Sequence, residues 1–197
     1  MSEDALALVE GRRGHFQLES RHHGDLWLPL ERLCLHAREI QPFAARLAAA
    51  RRKYEVQVVC GPLVEGAYIA LLVSLELGCD FVYAERFANP SRTGLFPVEY
   101  RLPKAMQVAV RDKRVAIVND VISAGSAVRG AFSDLRLMGA EVVVIGALLG
   151  LGDSIDKFAD ENSIALELLQ RMPHNLWTPE ECPLCAAGKP IEIAGAS

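Results

Sequence analysis

The 197 residues suit one domain with a small appended element, and a hydrophobic share of 51% is ample for a core. The charged share of 23% is ordinary for a globular chain. A formal net charge of −4 argues against non-specific nucleic-acid binding but leaves room for a small anion at a locally positive site.

Residues 1–10 are acidic and lack the basic flank and apolar stretch of a secretory signal. The longest apolar runs, such as residues 67–75, are too short to span a bilayer. Five cysteines, an odd number in a chain that needs no staples, fit a reducing compartment. The expectation is a cytoplasmic protein with no membrane or nucleic-acid partner.

In chain order, residues 4–10 read as a short helix broken by Gly11 and Gly14. Residues 15–18 and 26–30 have the apolar spacing of short strands around a polar turn at 20–25. Pro42 fits the first turn of a helix over 43–52, with Ala44, Leu47 and Ala48 as its apolar stripe. From residue 55, strand and helix alternate: a strand at 56–60 ended by Gly61-Pro62, a helix at 67–77 ended by Gly78, and a strand at 81–84. An added strand at 98–102 and a strand at 115–118 follow. The helix at 126–138 carries Val128, Ala131, Phe132, Leu135 and Met138 at helical spacing, with Gly139 as its C-cap. A strand at 142–149, a helix from 152 to about 162, and an irregular tail rich in Pro, Gly and Cys complete the chain. The alternation predicts an α/β fold: a parallel sheet flanked by helices, with a small hood from the two ends of the chain. The strands are apolar throughout, as expected when both sheet faces are covered. Residues 1–52 read as a hood element and helix, 53–151 as the α/β core, and 152–197 as a helix and tail, all in one compact domain.

In open parallel sheets, ligands bind at the carboxyl ends of the strands. Two strand-end loops here have unusual chemistry. In the segment 114–138, a buried strand delivers Asn119 and Asp120 to its end, and Ser123, Ala124, Gly125, Ser126 and Ala127 turn straight into a helix. A helix start offers unpaired N–H donors and a positive dipole end, glycine lets backbone amides approach closely, and the serines add hydroxyls. That arrangement suits a phosphate, with Asp120 and Asn119 placed to hold sugar hydroxyls. The plainer alternative is that Ser126 merely caps a helix and Asp120 ends a strand. The second loop, Cys60-Gly61-Pro62-Leu63-Val64-Glu65-Gly66, also joins a strand to a helix and, standing alone, is equally a tight turn.

The segment Asn119-Asp120-Val121-Ile122-Ser123-Ala124-Gly125-Ser126-Ala127-Val128-Arg129 resembles the signature with which type I phosphoribosyltransferases bind phosphoribosyl pyrophosphate (PRPP). It is most similar to the orotate version, Asp-Asp-Val-Ile-Thr-Ala-Gly-Thr-Ala-Ile-Arg. Ser123 and Ser126 keep the hydroxyls of the two threonines, and Asn119 replaces the first acid. The resemblance implies that Asn119 and Asp120 hold the ribose and that residues 123–127 cradle the 5′-phosphate. It further implies that Gly61, Pro62 and Gly66 meet the pyrophosphate. Gly14-His15-Phe16 with Ser20 and His23 resembles the family's hood over the base, and implies base contacts from Phe16, Ser20, Arg21 and His23; Arg21 replaces the usual glycine and Gly24 a serine. Without the resemblance, His15, His22 and His23 read as surface or turn histidines.

The family's mobile cationic loop corresponds to residues 84–97. Arg86 fits its arginine, Phe87 stands where a lysine is expected, and Arg92 is the substitute cation, alternatively a solvated charge. The implied catalytic set is Asp120, Arg92 and Arg86, with Arg86 also on the pyrophosphate. The implied reaction is magnesium-dependent transfer of phosphoribose from PRPP to a nitrogenous base, orotate first, in pyrimidine synthesis, by a homodimer. Magnesium is expected through PRPP near Asp120, with no side-chain metal ligand assigned. A different acceptor base, or a PRPP-sensing regulator without catalysis, are the rival readings, motivated by Arg21, Gly24, Asn119 and the altered loop. The tail pair Cys182 and Cys185 reads as a turn; as half of a zinc site it would need ligands from Cys34, Cys60, Cys79, a histidine or another subunit.

Overall fold

The computed structural model describes residues 11–35, 37–88 and 94–193; the helix expected at 4–10 and the side chain of Arg92 lie outside them. β1 (Arg12–Gln17) and β2 (His23–Trp27) form an antiparallel hairpin. α1 (Ala37–Arg51) starts earlier than the proline suggests, with Pro42 inside it. Proline removes one backbone bond there. The helix persists because Ile40, Phe43, Ala44, Leu47, Ala48 and Arg51 recur on one buried face, and tertiary packing outweighs local propensity.

The core follows as β3 (Val58–Pro62), α2 (Glu65–Leu77), β4 (Asp80–Ala88), β5 (Val98–Arg101), β6 (Arg114–Ile122), α3 (Ser126–Leu137) and β7 (Glu141–Leu151). Then come α4 (Ser154–Glu161), β8 (Ala165–Met172), β9 (Leu176–Trp177), α5 (Pro183–Ala186) and β10 (Glu192–Ile193). Six strands form one sheet in the order β5-β4-β3-β6-β7-β8, parallel except for the antiparallel edge strand β5. Alternate side chains of the central strands enter two apolar layers. Val58, Cys60, Val115 and Ile117 pack with Val128, Phe132 and Phe158 of α3 and α4. Val59, Ala116, Val118 and Val144 pack with Leu47 of α1 and Ile69 and Val73 of α2. The helices thus cover both faces, as the uninterrupted apolar strands require.

Two features depart from the sequence reading. β8 was not anticipated: as an edge strand it is only partly buried along its length and carries no continuous apolar run. The tail is not merely irregular. It supplies β9 and β10 to a second sheet, ordered β10-β1-β2-β9. No described helix is long and apolar enough to cross a membrane.

One buried charge joins the layers. Arg51 is fully buried, donates from Nη1 to the Leu47 carbonyl at 2.5 Å and from Nη2 to the Glu167 carbonyl at 3.3 Å, and its pKa is lowered to about 10 by burial. Its guanidinium fills the space a side chain at Gly146 would occupy.

Candidate active site

The chain crosses from β3 through α2 to β4 on one side of the sheet, and from β6 through α3 to β7 on the other. β3 and β6 are neighbours, so their carboxyl ends diverge into a crevice at this switch point. A cleft of about 230 Å³ opens there. It is lined by Pro62–Gly66 after β3, by Asn119–Ala127 after β6, by Tyr100 of β5, and by Leu18, Glu19, Ser20, Trp27 and Leu30 from the hood side.

The loop after β6 is shaped for backbone donors. Gly125 has φ +81°, the left-handed region that glycine occupies without a Cβ penalty, and is the N-cap of α3. The first turn of that twelve-residue helix therefore faces the cleft with its amides. The Ser123 hydroxyl is buried and has no hydrogen-bond partner among the described residues. Asp120 and Asn119 are buried, 4% and 9% exposed, at the end of β6.

Asn119 has a second task. Its Nδ2 donates to the Val121 carbonyl at 2.8 Å, and its Oδ1 lies where a side chain at Gly66 would be, only 2.0 Å from that Cβ position. The two loops therefore interlock through an amide packed on a glycine. Gly61 serves similar closeness: a Cβ there would lie 2.6 Å from the Ala67 Cα. Gly61 holds β3 against α2 rather than lining the cleft, whereas Pro62 and Gly66 line it. The Leu63–Val64 peptide between them is cis.

Arg129 braces the loop after β6 from behind, a role the sequence reading did not assign. Its Nε donates to the Ala124 carbonyl at 3.3 Å and its Nη2 to the Ser154 carbonyl at 3.1 Å. The guanidinium lies 4.5 Å from the Phe158 ring centroid and 5.1 Å from that of Phe96. Its position one turn into α3, with acceptors on the loop ahead and on α4, was the available signal; the aromatic partners are distant in sequence.

Arg86 extends from β4 to Glu19, with Nε 2.6 Å from a carboxylate oxygen, and Tyr100 also donates to Glu19 at 3.1 Å. Burial, with Glu19 beside it, pushes the Tyr100 phenol well above its ordinary value, so it stays a donor. Arg86 itself is not part of the cleft lining; it neutralises a carboxylate that is. Among the described residues, the lining carries three carboxylates, Glu19, Glu65 and Asp120, and no basic side chain.

Of the four expected base-contacting residues, Ser20 lines the cleft and Phe16, Arg21 and His23 do not. Phe16 is core, 1% exposed. Arg21 has φ +64° at the hairpin turn, the conformation for which glycine is the natural occupant, and its Nη1 donates to the Gly94 carbonyl at 3.2 Å. His15 and His23 are buried rather than surface residues, at 4% and 7% exposure, and meet each other and the tail cysteines. His22 contacts the Ser20 hydroxyl through Nδ1 at 3.0 Å.

No protein-family model matches the chain. It is 29% identical over 194 residues to the orotate phosphoribosyltransferase of Thermotoga maritima, covering 98% of this chain and 95% of that one. It is 27% identical over 184 residues to that of Caldanaerobacter subterraneus subsp. tengcongensis, covering 93% and 90%. Among solved structures it is similar to the orotate phosphoribosyltransferase of Aeropyrum pernix, with TM-score 0.64, 19% identity, and coverage of 87% of this chain and 94% of that chain. The adenine phosphoribosyltransferase of Thermoanaerobacter pseudethanolicus gives TM-score 0.65, 16% identity, and coverage of 86% and 99%. The chain is thus similar along nearly its whole length to curated orotate phosphoribosyltransferases, and it shares the phosphoribosyltransferase fold of the solved structures.

Proposed function

We propose that the protein transfers phosphoribose from PRPP to a nitrogenous base, with orotate as the first candidate acceptor, and releases pyrophosphate. The observation that carries this reading is the convergence of two strand-end loops on one cleft: a helix N-terminus with a buried, unpartnered Ser123 hydroxyl, next to a buried Asp120. The amides at the start of α3, with Ser123 and Ser126, hold the 5′-phosphate. Asp120 accepts hydrogen bonds from the ribose hydroxyls, and the Asn119 amide keeps the two loops in register. Pro62–Gly66 face the pyrophosphate end. Holding donor and acceptor in line across the anomeric carbon lowers the entropic part of the barrier, and the hood over the cleft keeps water from competing as acceptor.

Three carboxylates in the lining are hard oxygen donors that fit magnesium, Asp120 foremost. The ion, carried on PRPP, would offset charge developing on the leaving pyrophosphate. Arg92 remains the proposed loop cation. Arg86 contributes by neutralising Glu19, which the 2.6 Å ion pair supports. Tyr68, Leu71 and Leu75 are 50%, 42% and 70% exposed along one side of α2, which supports the expected homodimer.

The acidic lining favours a second reading for the acceptor alone: a neutral base in place of anionic orotate. Incubation with PRPP, magnesium and a panel of bases, followed by pyrophosphate release, tests both. Turnover with orotate alone supports the first reading, and turnover with a neutral base moves the acceptor. PRPP binding without turnover of any base would reduce the protein to a sensor and overturn the transferase reading.

A further inference from the structure

We propose that His15, His23, Cys182 and Cys185 form a structural zinc site that fastens the two ends of the chain together beside the cleft. The site is independent of the transfer reaction and lies in the small sheet. His15 comes from β1, His23 from β2, and the cysteines flank the start of α5 in the tail.

The four ligand atoms lie close enough together to surround one ion. His15 Nε2 lies 3.2 Å from His23 Nδ1, 3.4 Å from Cys182 Sγ and 3.7 Å from Cys185 Sγ. Cys185 Sγ lies 3.3 Å from His23 Nδ1. All four ligand atoms are within 4.8 Å of one another. Zinc bonds of about 2.3 Å to sulfur and about 2.0–2.1 Å to nitrogen, at tetrahedral angles, place nitrogens about 3.3 Å apart and nitrogen about 3.6 Å from sulfur. The three nitrogen–sulfur distances of 3.4, 3.7 and 3.3 Å and the nitrogen–nitrogen distance of 3.2 Å lie close to those figures.

The surroundings fit as well. His15 Nδ1 is 3.0 Å from the Lys189 carbonyl, so Nδ1 carries the hydrogen and Nε2 presents its lone pair to the cluster. A backbone carbonyl on the far nitrogen is the usual way a protein orients a metal-binding imidazole. Cys182 and Cys185 are separated by two residues, with the turn between them closed by Ala186 N donating to the Cys182 carbonyl at 3.2 Å. His15, His23 and Cys182 are buried, so the three could not lean on water in place of an ion. Hydrogen bonding within the cluster is the alternative; it offers one imidazole–imidazole bond, but its other contacts rely on thiols, which are weak donors. Two thiolates and two neutral imidazoles offset the charge of one divalent ion, and this donor set with tetrahedral geometry selects zinc. Four protein ligands leave no open position, which makes the site structural rather than catalytic. The other three cysteines are elsewhere, and burial pushes Cys34 up to about 11 and Cys60 up to about 12, leaving both as thiols.

The consequence is mechanical. β9 and β10 are two residues each, too short to hold the tail on the hairpin by backbone pairing alone. A metal shared by hairpin and tail would fix the hairpin turn, whose Leu18, Glu19 and Ser20 line the cleft.

The test uses the full chain, expressed with added zinc, purified under reducing conditions and analysed for metal by mass spectrometry. One zinc per chain is expected, and Co²⁺ titrated into the reduced, zinc-stripped protein should give a tetrahedral spectrum with a thiolate charge-transfer band. Both signals should be lost in Cys182→Ser and in Cys185→Ser, the latter altering a more exposed residue. Chelation of the wild-type protein should lower Tm by about 10 °C, a readout that stands if a serine variant fails to fold. Folded, reduced protein that takes up neither zinc nor Co²⁺ would overturn the proposal. So would unchanged stoichiometry in the double Cys182→Ser/Cys185→Ser variant, or a Cys182–Cys185 disulfide in protein kept under reducing conditions. Metal content is measured without PRPP or base, so its outcome is separate from that of the transfer assay.

Discussion

The two sheets of this protein are held by different physics. The six-stranded sheet buries apolar side chains on both faces between four helices, and its central strands are almost completely inaccessible. The four-stranded sheet has two strands of two residues and joins segments from opposite ends of the chain. Its distinctive contacts are polar and sulfur-containing: the buried His15, His23 and Cys182 with the exposed Cys185. The hydrophobic effect is non-directional and grows with area, so it builds the large sheet and holds the strand ends of the cleft rigid. Directional ligation can order a small sheet that has too little area of its own. The loop after β6 belongs to the first regime and the hood beside it to the second.

The strongest perturbation of the large sheet is Gly146→Ala. The new methyl would overlap the buried Arg51 guanidinium, with its Cβ 0.9 Å from Nη2, and would displace a charge that has no route to water. We expect a loss of about 3–4 kcal/mol in a denaturant melt; a loss below 1 kcal/mol would show that Arg51 relocates freely. Next in size, Asp120→Ala removes the carboxylate proposed to hold the ribose. PRPP affinity by calorimetry should fall about 100-fold with little change in Tm, and unchanged affinity would sink the site assignment.

Arg129→Met tests whether the cradle depends on its brace. It removes donors to the Ala124 and Ser154 carbonyls while keeping apolar contact with Phe158. PRPP binding should weaken about 10-fold, consistent with two lost charge-assisted bonds partly replaced by water, and Arg129→Lys should recover part of it. If Met and Lys behave alike, packing rather than hydrogen bonding positions the loop. The smallest effect is expected in the hood. Arg12 and Glu192 pair across β1 and β10 at 2.7 Å, but their side chains are 60% and 55% exposed. Arg12→Gln should cost about 0.5 kcal/mol or less and leave metal content unchanged. A larger loss would mean that the ion pair, and not the cysteine–histidine cluster, holds the tail.

The alternation of apolar strands with amphipathic helices was legible along residues 55–151 because burial on both faces writes itself into consecutive residues. The same is true of the cradle, whose glycine, serines and acid are contiguous from Asn119 to Ala127. Where a residue's role depends on a distant partner, the local pattern misled. Pro42 marked a helix start only until the buried face of α1 was seen to run through it. The edge strand β8, half exposed, had no apolar signature. Arg86, which resembles a cation of a mobile loop, pairs with Glu19 on the hood, a contact that no local pattern announces.

The sequence by itself determined the α/β layering and the chemistry presented at the switch point, because both arise from short-range pattern and backbone geometry. Only the tertiary structure decided what the histidines and tail cysteines do. His15 and Cys182 are 167 positions apart, and nothing in local propensity brings their lone pairs to one point; the pairing of β1 with β10 and of β2 with β9 does.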